Sequence, residues 1–131
     1  MKSTNNIQPQ KFINVAFVFY ALFIIFVMVI AYNGMVPNIL VKIPFYDKIG
    51  HFLLIGFSSY LLNIVLNRHK IKFKNFSITT APFLVLVFFS IEECFQLLSP
   101  VRTFDLTDLL SDFLGVYFFY IFDKSRLKSS K

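Results

Sequence analysis

The sequence predicts an all-α integral membrane four-helix bundle with both termini cytoplasmic, and three observations carry that reading. Of 131 residues, 56% are hydrophobic and only 15% charged, with a mean hydropathy of +0.67. A soluble domain carries about a quarter of its residues as Asp, Glu, Lys and Arg. The apolar residues fall in four runs of membrane-spanning length, and the basic residues gather in alternate connections between them. Nineteen Phe against four Gly and five Pro exclude disordered, collagen-like and low-complexity classes. The single cysteine, Cys94, cannot form an internal disulfide, which excludes a cross-linked secreted scaffold. Its place in an apolar run predicts a small structural residue on a packed helix.

A spanning helix needs about 20 mainly apolar residues. Run one, 12–32, contains no charge; it is too long for a signal-peptide core and is expected to be a permanent anchor. Run two, 49–66, carries His51, Ser58, Ser59 and Asn63. Run three, 78–98, carries Glu92, Glu93 and Gln96, and run four, 106–122, carries Asp108 and Asp112. The connection 33–48 is interrupted by Pro37 and Pro44 and ends on Phe45 and Tyr46, a pattern suited to the outer interface. No repeat or linker divides the chain, so residues 1–131 read as one membrane domain.

Loop charge sets the orientation. With the amino terminus inside, Lys2, Lys11, Arg68, Lys70, Lys72, Lys74, Lys124, Arg126, Lys128 and Lys131 face the cytoplasm, and only Lys42, Lys48 and Arg102 lie outside. The net charge of +6 is therefore a topology signal, and no nucleic-acid partner is expected. Membrane lipids are the expected surroundings.

The acids are distributed differently. Asp47, Glu92, Glu93, Asp105, Asp108 and Asp112 fall in outer loops or the outer parts of spans, leaving Asp123 alone at the inner side. Helix rise places Glu93 roughly 7–8 Å and Asp112 roughly 9 Å below the outer surface. The short connection 99–105 makes runs three and four antiparallel neighbours. At about 100° per residue, three polar stripes form: Glu92, Glu93 and Gln96; Asp105, Asp108 and Asp112; Asp47, His51 and Ser58. Lipid satisfies none of these groups, so the stripes are expected to face one another or a small cavity open to the outside.

These residues also resemble a known family. Asp47-Lys48-Ile49-Gly50-His51 is similar to the D-K-x-x-H motif of VanZ-like membrane proteins. Glu93-Cys94-Phe95-Gln96, then Pro100, Arg102, Asp105, Asp108, Asp112 and Gly115, resembles that family's E-x-x-Q…P-G-R…D…D-x-x-x-N-x-x-G block. Val101 stands where the family has Gly, and Asp112 where it commonly has Asn. The resemblance covers roughly half of the chain, from Asp47 to Gly115. It implies a small bacterial multi-pass protein of the plasma membrane, connected with the cell envelope and with susceptibility to a glycopeptide antibiotic, and it implies no settled reaction.

Several roles stay open for the site residues. Glu93 and His51, with Asp108, are candidate acid–base groups, or members of a satisfied polar network that fixes helix packing. Arg102 suits an anionic ligand, or pairs locally with Asp105 or Asp108, and is expected to neutralise part of the acidic cluster. Gln96, Asp105, Asp112, Asp47 and Lys48 complete the candidate binding set. Asp108, Asp112, Glu93 and His51 offer oxygen and nitrogen donors, yet no metal-ligand motif is present, and neither metal nor cofactor is expected. The expected activity is binding or processing of an anionic lipid-linked envelope component or a glycopeptide-type antibiotic. The alternatives are a non-catalytic membrane scaffold and an oligomeric proton or cation relay; the oligomeric state is left open.

Overall fold

The computed structural model describes residues 7–129. Lys2 and Lys131, counted among the inner basic residues, lie outside that range. The chain is mostly helical, and among the described residues three helices are long and apolar enough to cross a membrane: Pro9–Tyr32, Tyr46–Val65 and Thr80–Leu98.

Helix α1 (Ile7–Tyr32) ends at Gly34, whose φ of +65° allows the Gly34 and Met35 N–H groups to close back on the carbonyls of Ala31 and Ile30. A single turn, α2 (Asn38–Val41), follows Pro37 and exposes Ile39, Leu40 and Val41. Helix α3 (Tyr46–Val65) begins three residues before the apolar run, because Tyr46, Asp47 and Lys48 extend it while Asp47 favours the positive end of the helix dipole. This extension puts Asp47 and Lys48 on the same rigid element as His51.

One element departs from the all-α expectation. Strands β1 (Lys70–Lys72) and β2 (Ser77–Thr79) pair antiparallel, with Ile71 opposite Ile78. Lys-Ile-Lys and Ser-Ile-Thr alternate with the period of a strand, and the Phe73 and Phe76 rings stack at 4.8 Å across the turn. Read only as a run of positive charge, the segment concealed that alternation. Helix α4 (Thr80–Phe95) starts after the second strand and continues through a 3-10 turn, Gln96–Leu98. Helix α5 (Leu106–Ser129) runs beyond the predicted 122 because Asp123 is paired and the following basic residues suit a helix C-terminus. With Asp108, Asp112 and Asp123 on it, α5 is not among the helices apolar enough to cross.

Helix α3 is central and packs against α1, α4 and α5, most extensively against α5. The α3–α5 contact is backbone to backbone. A Cβ at Gly115 would overlap the Phe52 carbonyl, and one at Gly56 would lie 2.7 Å from the Gly115 carbonyl. The side-chain distribution is inverted relative to a soluble domain. The largest fully buried side chains are Gln96, Glu93, Asp108 and Asp112, whereas Phe12, Phe19, Phe88, Phe118 and many others are exposed.

At the end of the helices bearing the hairpin, Asp123 is buried and accepts from Arg68 Nε and Nη2 at 2.8 Å each and from Asn63 Nδ2 at 3.0 Å. Arg68 is thus a specific clamp between α5 and the end of α3, as well as one of the loop cations. Asp123→Ala is expected to lower stability by about 2 kcal/mol, because the Asn63 amide loses its partner while Arg68 turns to water. A thermal-melt comparison in detergent checks it.

Candidate functional site

Two turns of three helices supply the polar cluster. Asp47, Lys48 and His51 stand at the start of α3; Glu92, Glu93 and Gln96 at the end of α4 and in its 3-10 turn; Asp108 and Asp112 at the start of α5. The spacing i, i+4 puts Asp47 with His51, and Asp108 with Asp112, on common faces. The connection between α4 and α5 is shaped by Ser99 Oγ, which accepts from the N–H groups of Val101 (3.2 Å) and Arg102 (3.0 Å). Val101 has no positive φ, so the turn forms without the glycine of the resembled motif.

The three faces meet. Lys48 Nζ donates to Asp105 Oδ2 at 2.9 Å and Asp108 Oδ1 at 3.0 Å. His51 Nδ1 lies 2.9 Å from Asp112 Oδ1. Glu93 accepts from Gln96 Nε2 at 2.9 Å and from the Asp105 N–H at 2.8 Å. Gln96 also lies 3.3 Å from both oxygens of Glu92, which accepts the Tyr32 hydroxyl of α1 at 2.8 Å. Exposure falls steeply through the cluster, from 40% at Asp105 and 32% at Lys48 to 2% at Asp108 and 1% at Asp112. It has an exposed rim and a buried floor. On that floor, Gln96 Oε1 and Asp112 Oδ2 have no hydrogen-bond partner among the described residues.

At the rim, Asp105 caps α5, its carboxylate accepting from both the hydroxyl and the N–H of Thr107. The Thr107 hydroxyl and the Lys48 ammonium hold the Asp105 carboxyl well below the usual carboxylate range. It is a fixed negative charge at any physiological pH.

The structure brings all nine sequence-derived candidates to this one end, but assigns several to other partners than expected. Arg102 neutralises part of the acidic cluster by pairing with Asp47, while Lys48 pairs with Asp105 and Asp108, the partners expected for Arg102. Arg102 reaches only Asp47, at 3.5 Å, because the 99–105 turn directs it toward the start of α3. His51 is paired with Asp112 and makes no hydrogen bond to Glu93, whose oxygens are engaged by Gln96 and the Asp105 N–H. Cys94 is exposed instead of packed, since one step along α4 turns it about 100° away from the buried Glu93. The donors that converge are Asp47, His51 and Asp108, whose ligand atoms lie within 4.8 Å of one another, not the Glu93–Asp108–Asp112–His51 set. Tyr32 was absent from the sequence-derived set; its only signal is its place as an aromatic residue at the end of run one.

Beside the cluster, α1, α3 and α4 enclose an apolar groove of about 520 Å³ lined by Tyr20, Ile24, Met28, Leu62, Phe88 and Ile91 among others. Ile91 immediately precedes Glu92 in α4, and Met28 lies one turn before Tyr32, whose hydroxyl donates to Glu92.

The fold and cluster define a helical protein with three apolar helices of membrane-crossing length and a polar network concentrated at one end. No protein-family model, curated protein or solved structure matches this chain.

Proposed function

We propose that the chain is a VanZ-like protein of a bacterial plasma membrane. It spans four times with both termini cytoplasmic and binds, near the outer surface, the headgroup of an anionic lipid-linked envelope component. One observation carries this reading: a polar cluster with an exposed rim and an apolar groove of about 520 Å³ are built on the same two helices, α3 and α4. A lipid-linked ligand has matching halves, its alkyl chain in the groove and its phosphate or carboxylate at the rim. Lys48 and Arg102 are the cations placed to hold that anion, Arg102 by a two-point grip. Glu93, His51 and Asp108 are the acid–base groups available for processing.

Binding of a polyprenyl phosphate to the purified protein in detergent micelles, read by native mass spectrometry, tests the reading. Arg102→Gln and Lys48→Gln are each expected to weaken binding at least tenfold; binding indifferent to both sinks it. The topology has its own check. A reporter fused after Ser99 is expected outside and one after Lys131 inside, and the reverse at either position overturns the four-span arrangement.

A relay through the chain is the weaker alternative. The buried acid at the far end, Asp123, is held by Arg68 and Asn63 instead of being free to pass a proton. A scaffold acting through its exposed Phe faces would be favoured if Glu93→Ala and Arg102→Ala both insert normally and preserve the envelope phenotype.

A further inference from the structure

We propose that Asp47, His51 and Asp108 form a binding site for a divalent cation of the zinc or manganese type, with Asp112 positioning the histidine. One donor atom from each of the three residues lies within 4.8 Å of the others. Donors around a single such ion stand about 3–4 Å apart, so the widest pair must draw in by about 1 Å, within the reach of side-chain rotation. Two carboxylates with one imidazole suit these ions better than Mg²⁺ or Ca²⁺, which favour oxygen ligands throughout.

Asp112 supplies an independent observation. It is 1% exposed, its Oδ1 stands 2.9 Å from His51 Nδ1, and its Oδ2 has no hydrogen-bond partner among the described residues. A metal-binding histidine almost always donates its other ring N–H to a carboxylate, a backbone carbonyl or water, which fixes the ring and leaves the second nitrogen for the ion. Here that arrangement directs Nδ1–H to Asp112 and frees Nε2, for which no hydrogen bond is found among the described residues. A buried carboxylate with one bare oxygen is costly unless positive charge is near. An ion on the far side of the imidazole provides that charge. The surrounding balance points the same way, since among the described residues Lys48 and Arg102 are the only permanent cations at ion-pair distance from the six acids Asp47, Glu92, Glu93, Asp105, Asp108 and Asp112. Lys48 takes Oδ1 of Asp108, which leaves Oδ2 for the ion.

The ion would let a net-acidic cluster hold an anionic headgroup, and that role rests on the function proposed above. Ion binding itself does not. Metal-stripped protein in detergent, without lipid, is therefore titrated calorimetrically with Zn²⁺ and separately with Mn²⁺. One ion per chain is expected, with affinity reduced at least tenfold by Asp47→Asn and by His51→Gln, about 10–100-fold by Asp112→Asn, and little by Glu92→Gln. Asp47 is at the exposed rim, so its variant is expected to keep the wild-type elution and melting profiles and to test the site even where a floor variant misfolds. No saturable binding, binding indifferent to Asp47→Asn and His51→Gln, or equal weakening by Glu92→Gln overturns the site. Polyprenyl phosphate binding without ion binding overturns this inference and leaves the proposed function standing. Ion binding without lipid binding does the reverse.

Discussion

Replacing Gly115 by leucine is expected to leave no stably folded protein in detergent, while Gly50→Ala is tolerated. The contrast follows from what each new side chain meets. A Cβ at Gly50 finds nothing within 4 Å, whereas one at Gly115 runs into the backbone of Phe52. Backbone atoms cannot rotate away as a side-chain tip can, so α5 must separate from α3. That separation would also open the contact at Gly56, where a Cβ already lies 2.6 Å from the Phe119 ring and 2.7 Å from Gly115. Overpacking by one methyl costs about 1–3 kcal/mol, so Gly115→Ala should lower the melting temperature measurably and leucine should exceed what the fold tolerates. Elution profiles and melts of the three variants, side by side, check the order. If Gly115→Leu melts like the wild type, the close approach of α3 and α5 is wrong.

Lys48→Met is expected to destabilise the protein by about 2–4 kcal/mol, and adding Asp108→Asn to restore most of the loss. Among the described residues, Lys48 is the sole cation within hydrogen-bonding distance of Asp108, which is 2% exposed. Removing one partner leaves a buried carboxylate uncompensated, whereas removing both charges is nearly neutral. Because Lys48 itself is 32% exposed, solvent screening keeps the figure below that of a fully buried pair. Denaturation of the two single variants and the double variant yields the coupling energy. A coupling near zero would mean that Lys48 contributes little to holding α3 against α5. Saturating Zn²⁺ is expected to return part of the stability lost in Lys48→Met, since an ion on Asp108 replaces the missing charge.

By itself the sequence determined the apolar helices and the gathering of polar groups. Uncharged length marks α1, and hydropathy with helical periodicity marks α3 and α4 and the faces that carry His51, Glu93 and Asp112. The length of the 99–105 connection further made α4 and α5 neighbours. Tertiary structure decided which of these groups touch. Periodicity sets a side chain's direction about its own helix axis, about 100° per residue, but not the rotation or axial offset of one helix against the next. Those offsets are set by contacts such as Gly56 against Gly115, which no single-helix pattern reveals. A one-residue change in offset shifts a side chain by about 1.5 Å, enough to exchange one partner for another. For that reason Lys48 rather than Arg102 sits between the acids, and Asp47 rather than Glu93 joins His51 and Asp108. The same logic applies at the opposite end, where Arg68 looked like one basic residue among many until the fold carried Asp123 to it across 55 residues of chain.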